Sequence, residues 1–149
     1  MKKRVIFYLM LFFSCYISAQ QKIKITIDEY HKEKEAILNV IINSVQFDSI
    51  NNIYSDSSLH FVFAENEILY KDIPITLTYK NQTVEIVDCS HTKENCYWIG
   101  DFFLNLYIEN PKEARTQLVL VRKNKEDILL GITLEKCKKW EIKSFTQID

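Results

Sequence analysis

From Tyr97 to Ile148 the chain runs through four segments rich in apolar–polar alternation, joined by three short turn-forming clusters. Phe102, Leu104, Leu106 and Ile108 share one face of the first segment, and Asn110-Pro111 turns into Ala114 to Val121. Asn124 to Asp127 turns into Ile128, Leu130, Ile132 and Leu134; Glu135 to Lys139 turns into Trp140 and Ile142, and on through Phe145 to Ile148. Strand side chains point alternately to two faces, so each segment offers one apolar face for burial. Strands that follow one another through tight turns pair antiparallel with their neighbours. A four-strand meander with an apolar face is therefore what the rest of the chain must cover.

The covering element comes first in the sequence. Tyr30, Ile37, Ile41 and Val45 fall on one helical stripe, widened by Leu38 and Ile42, while His31 to Glu35 is polar. Thr26-Ile27-Asp28-Glu29 reads as a capping box, with Ile25 and Tyr30 as its hydrophobic staple. A competing reading makes residues 23–27 a short edge strand and Asp28 the cap. Both predict one amphipathic helix from about Asp28 to Val45, followed by a polar connection from Asp48 to Ser58. Leu59, Phe61 and Phe63 then alternate with His60 and Val62. Ile75, Leu77 and Tyr79 turn at Lys80-Asn81-Gln82 into Val84-Glu85-Ile86-Val87, a hairpin signal. The chain has only two glycines and two prolines and no repeat or linker, which argues for one continuous domain. Gly100 and Gly131 mark where the sheet is expected to bend. The fold class that follows is α+β: an N-terminal amphipathic helix packed on a bent antiparallel sheet, hairpin plus four-strand meander.

Residues 1–19 read as an address rather than as structure. Lys2, Lys3 and Arg4 precede an apolar run from Val5 to Phe13, and Ile17-Ser18-Ala19 closes it with a small residue. That is the layout of a secretory signal peptide, and the run is too short to span a bilayer, which takes ~20 residues. The expectation is export to the periplasm or beyond, with residues 20–149 as the single roll domain. Phe12-Phe13-Ser14-Cys15 resembles a degraded lipoprotein box, so a lipid anchor at Cys15 holding the protein at the outer membrane is the alternative. The leader holds three of the 19 Lys and Arg and none of the 20 Asp and Glu, leaving a net charge of −4 on the rest. Such mild acidity offers nucleic acid nothing to bind.

Outside the leader stand Cys89, Cys96 and Cys137. Exported cysteines tend to pair, and Cys89 with Cys96 would clamp a short polar loop, leaving Cys137 over. The same residues permit a metal reading: Cys89, His91, Cys96 and Cys137 would suit Zn²⁺ or Cu⁺, although the spacing matches no standard module. No cofactor is expected. For acid–base chemistry Asp101 is the foremost candidate, placed after Gly100 between Ile99 and Phe102-Phe103, with His60 and Glu109 behind it. The plainer reading of Asp101 is a bulge or turn aspartate. There is no Gly-x-Ser-x-Gly elbow, and two glycines so far apart make no phosphate loop. Phe103, Asn105 and Tyr107 share the face opposite Leu104, with Tyr97 and Trp98 nearby. Three uses stay open for that face: docking a partner, burial by a strongly bent sheet, or pairing of two copies as a homodimer.

The leading helix from Asp28 to Val45, the meander from Tyr97 onward and the closing Lys139-Trp140-Glu141-Ile142-Lys143-Ser144-Phe145 together resemble the cystatin-like and nuclear-transport-factor-2-like α+β roll. The resemblance implies a roll plugged by Trp140. The chain departs from the larger enzymes of that kind in having no helical segment between the Ile75–Val87 hairpin and the meander, so a deep lidded pocket is not implied. The expected function is an exported, non-enzymatic binding or interaction domain of the bacterial cell envelope. Its partner would be an envelope protein, as for an inhibitor or immunity-type protein, or a small apolar ligand between sheet and helix. A small roll enzyme using Asp101 is the alternative.

Overall fold

A computed structural model describes residues 24–54, 62–65, 75–84, 86–88, 96–105, 108–122 and 125–148. The leader, Cys15 among it, lies outside the described residues. Helix α1 (Ile27–Ile42) starts at the capping box: Glu29 N–H donates to the Thr26 hydroxyl at 3.2 Å, and Thr26 N–H donates to the Glu29 carboxylate at 2.8 Å. Thr26 is thus the cap, and the edge-strand alternative falls away. The two bonds satisfy donors that a helix start otherwise leaves open, and the Thr26 N–H, with the Thr26 hydroxyl donating to the same carboxylate at 2.8 Å, holds the Glu29 carboxyl below its usual range.

The helix is shorter than its apolar stripe suggests. It stops at Ile42, and a second helix, α2 (Val45–Tyr54), begins after a two-residue break. Ser44 makes the break: its hydroxyl accepts from Phe47 N–H at 3.1 Å and its carbonyl from Asp48 N–H at 3.0 Å, the geometry of a helix N-cap. Two expectations are corrected by this. Val45 is 79 % exposed instead of closing the α1 stripe, and most of the expected polar connection after Asp48 is helical. Phe47 and Asn51 point inward, at 0 % and 2 % exposure.

Among the described residues the main sheet has six strands. Strands β5 (Cys96–Leu104), β6 (Glu113–Val121), β7 (Ile128–Lys136) and β8 (Trp140–Ile148) form the expected antiparallel meander. At its β5 edge the sheet is extended by β1 (Val62–Glu65), parallel to β5, and β4 (Ile86–Asp88), parallel to β1. The expected hairpin is present as β2 (Leu77–Tyr79) and β3 (Gln82–Val84), a separate two-stranded unit. Its turn places Lys80 and Asn81 both at positive φ, 47° and 64°, the twist that a two-residue hairpin loop requires. The segment expected to be one strand, Val84 to Val87, is divided between β3 and β4.

Two register shifts bend the meander. One lies between Ile99 and Phe102, so Gly100 and Asp101 together face Gln117; the other falls at Thr133/Leu134, opposite Lys143. Gly100 therefore marks a bend as expected, whereas Gly131 sits in regular register between Gln117 and Thr146. On the inner face, Leu104, Ala114, Leu118, Leu130, Ile132, Leu134 and Trp140 pack into one core with Ile37, Leu38, Ile41 and Ile42 of α1.

Helix α1 also completes the hairpin. Glu35, Asn39 and Asn43 recur every four residues and so line one face of α1. Thr76 N–H donates to the Glu35 carboxylate at 3.0 Å, and Asn39 Nδ2 donates to the Thr76 carbonyl at 3.0 Å. Thr78 N–H donates to Asn39 Oδ1 at 2.9 Å, and Asn43 Nδ2 donates to the Thr78 carbonyl at 2.7 Å. These side chains take the place of a third strand along the open edge of β2, which a lone hairpin needs. Asn39→Ala is expected to cost about 1–3 kcal/mol, two bonds at roughly 0.5–1.5 kcal/mol each, measured by urea unfolding. A loss below about 0.5 kcal/mol, the level of an ordinary surface change, would show that Leu77 and Tyr79 hold the hairpin by packing alone.

Candidate functional site

The sequence candidates are scattered. Asp101 lies in the β5 bulge, in line with its plainer reading; its side chain is outside the described residues. His60, Cys89, His91 and Tyr107 are outside them as well, and Glu109 is exposed in the bend before Pro111. Cys96 is a buried free thiol and Cys137 an exposed one. The Cys89–Cys96 clamp is therefore not formed.

The metal set fails as well. Cys96 opens β5 and Cys137 sits in the β7–β8 turn, at opposite ends of the sheet, so one ion cannot hold both. Among the described residues no group of three metal-ligating side chains occurs. In the native protein Cys137 is expected to react quickly with a thiol reagent and Cys96 only on unfolding; fast labelling located at Cys96 by peptide mapping would show that β5 opens.

A polar cluster lies beneath the hairpin. Tyr79 donates its hydroxyl to the Asp48 carboxylate at 2.5 Å, and Lys80 Nζ lies 3.2 Å from the same oxygen. The Tyr79 hydroxyl bond, with Lys80 adding to it, keeps the Asp48 carboxyl below its usual range. Deeper in, Tyr97 donates to Asn51 Oδ1 at 2.9 Å, and burial pushes the Tyr97 phenol well above its ordinary value. Tyr97 and Asn51 are closed off from solvent, so this deeper pair ties α2 to the sheet and offers no substrate an approach.

The uncovered feature is the outer face of the meander. Direct cross-strand partners share a face, and the ladders place Trp98, Val119, Leu129 and Ile148 side by side in one row across all four strands. Trp98 is 37 % exposed and Ile148 43 %, with Val119 and Leu129 half-buried between them. Two rows further on stand Phe103, Arg115, Thr133 and Ser144, Phe103 being 57 % exposed. Phe103 thus points away from the helix, as its alternation with Leu104 predicts. Between these rows runs an open groove of about 430 Å³, floored by Gly131 and walled by Phe103, Arg115, Gln117, Ser144 and Thr146. Among the described residues its lining offers a ring, a guanidinium, an amide and hydroxyls, groups suited to recognition. The last row, Glu113, Glu135 and Glu141, is acidic, and Lys143 lies 2.6 Å from Glu135.

Sequence reasoning found Phe103 but missed the row. Val119, Leu129 and Ile148 were visible as apolar residues out of phase with the core, and only the register shows them as neighbours. Among the described residues no helix is long and apolar enough to cross a membrane. Comparisons with protein families, with curated proteins and with solved structures found no match to this chain.

Proposed function

We propose that the chain is an exported, non-enzymatic interaction domain of the bacterial cell envelope, built as a cystatin-like or nuclear-transport-factor-2-like roll, that docks a protein partner on its outer sheet face. One observation carries the reading: the apolar row Trp98–Val119–Leu129–Ile148, with Phe103 across the groove from it, stands on the face opposite α1. Contiguous exposed apolar surface with aromatic anchors is characteristic of protein interfaces. The leader sequence supports export, and the ring, guanidinium and amide lining the groove support recognition of a partner.

Phe103→Asp is the test. The side chain is exposed and outside the core, so thermal stability should move by no more than about 0.5 kcal/mol. Native mass spectrometry on the protein recovered from its envelope should show the complex lost. A variant that unfolds, or a complex that survives, would remove the outer face as the docking surface.

A further inference from the structure

We infer that the groove on the outer face holds an extended segment of the partner protein, laid across the strands, in which apolar side chains alternate with an acidic one that pairs with Arg115. The inference rests on the reading of that face as a docking surface and names what docks there. The chain has two glycines, and both stand in one row across the outer face. Gly131 lies between Gln117 and Thr146, and a Cβ at Gly100 would come within 3.3 Å of the Gln117 Cβ. This row is therefore the floor of a trench that crosses the sheet. The row of Trp98 and Ile148 is one wall, and the row of Phe103 and Arg115 is the other. Ile148 leans in over the floor, its Cδ1 3.0 Å from where a Cβ of residue 131 would stand.

The dimensions select an extended chain. Along β6, β7 and β8 the walls stand four residues apart, about 13 Å between Cα rows, and their side chains narrow the opening further. A helix with its side chains is about 10–12 Å across and would ride on the walls without reaching the floor. An extended segment enters, and four of its residues span the ~14 Å of three strand spacings. Successive side chains of such a segment point to opposite sides, so alternate residues meet the two walls. One wall is apolar throughout. The other presents the exposed guanidinium of Arg115, which has no ion pair or hydrogen bond among the described residues. The Thr133 hydroxyl stands beside it on β7, and the Gln117 amide lies two residues along β6. A carboxylate placed there takes charge-assisted bonds from Arg115 and a further donor from Gln117. Glu113, Glu135 and Glu141 lie one row beyond Arg115. An acidic side chain that overshoots the guanidinium is repelled, which confines it to the level of Arg115.

The probe is a fluorescent, acetylated and amidated heptapeptide of alternating leucine and glutamate, titrated with the intact protein, and its glutamine counterpart is the control. Anisotropy should saturate below about 1 mM. The glutamine peptide should bind roughly tenfold more weakly or worse, as loss of a charge-assisted bond implies. Arg115→Gln should erase that difference, so that the two peptides bind alike. Gly131→Val should abolish binding of both with the fold kept, because residue 131 is in regular register at negative φ and the exposed Ile148 side chain can move aside. Arg115 is exposed, so its variant carries the test where the valine disturbs the sheet. A wild-type chain that saturates with neither peptide, or holds both alike, overturns the inference. So does saturation by decanoate in place of the peptide, which makes the occupant an amphiphile, or self-association that Gly131→Val abolishes, which makes it a second copy. Native mass spectrometry separates this inference from the docking surface itself. If Phe103→Asp releases the native partner while Arg115→Gln and Gly131→Val both retain it, the face stands and the trench segment falls. If none of the three releases it, both readings fall.

Discussion

Phe47→Ala is expected to remove about 3–5 kcal/mol of stability, the range for deleting a fully buried aromatic side chain. Phe47 is 0 % exposed, its ring centroid is 4.8 Å from that of Tyr97 and 6.1 Å from that of Tyr79, and it projects from a helix of only ten residues. A helix that short has little stability of its own, so the side chain it buries is its principal attachment. The same ring braces the two tyrosines whose hydroxyls bind Asn51 and Asp48 on α2, and losing it loosens both bonds. Val45 and Ile53 lie on the same helix at 79 % and 69 % exposure and serve as controls. Alanine at either should change stability by no more than about 0.5 kcal/mol. Urea unfolding measures all three. A Phe47→Ala loss below about 1 kcal/mol, far short of a cavity cost, would mean that α2 is not docked as described.

Elements whose signal is local and periodic were legible in the sequence. The capping box at Thr26, the Lys80-Asn81 turn and the alternation through β6, β7 and β8 each bind a structure to a few adjacent residues. Helix α2 was not legible, because Phe47, Ile50 and Asn51 are too few to set a helical period against the polar residues around them. Its start lay in Asn43-Ser44, a stop-and-cap pair hidden inside an apolar stripe that continues to Val45. The parallel strands β1 and β4 were illegible for another reason. Their partners are distant in the sequence, and three or four residues of alternation do not specify a neighbour. Asn39 and Asn43 read as poor helix residues when taken alone; their use as a surrogate strand depends on Thr76 and Thr78, more than thirty residues away. The candidate site divides the same way. That Phe103 and Leu104 face opposite sides follows from period two, but the row from Trp98 to Ile148 exists only through three inter-strand registers and a bulge that shifts one of them.

Trp140→Ala is expected to cost about 3–5 kcal/mol, and the cost has two separable parts. The indole is 4 % exposed in the closing strand, and its volume fills part of the core under α1. Its Nε1–H also donates to the Glu33 carboxylate at 2.6 Å, while the other oxygen of Glu33 is paired with Lys136, whose Nζ stands 5.5 Å from the indole centroid. Glu33 thus fastens the polar flank of α1 to both β7 and β8. Trp140→Phe keeps a ring but removes the donor, and a bond to a charged group contributes about 1.5–3 kcal/mol. Glu33→Ala removes the acceptor and leaves the ring in place. The two single changes remove the same bond, so in a double-mutant cycle the pair should cost less than their sum, by about 1–2 kcal/mol. Additivity would assign Trp140 to packing alone. With domain stabilities near 5–15 kcal/mol, the alanine variant loses a large share of the total. Coupling in the cycle would show that α1 is held against the sheet by a specific bond as well as by its apolar stripe.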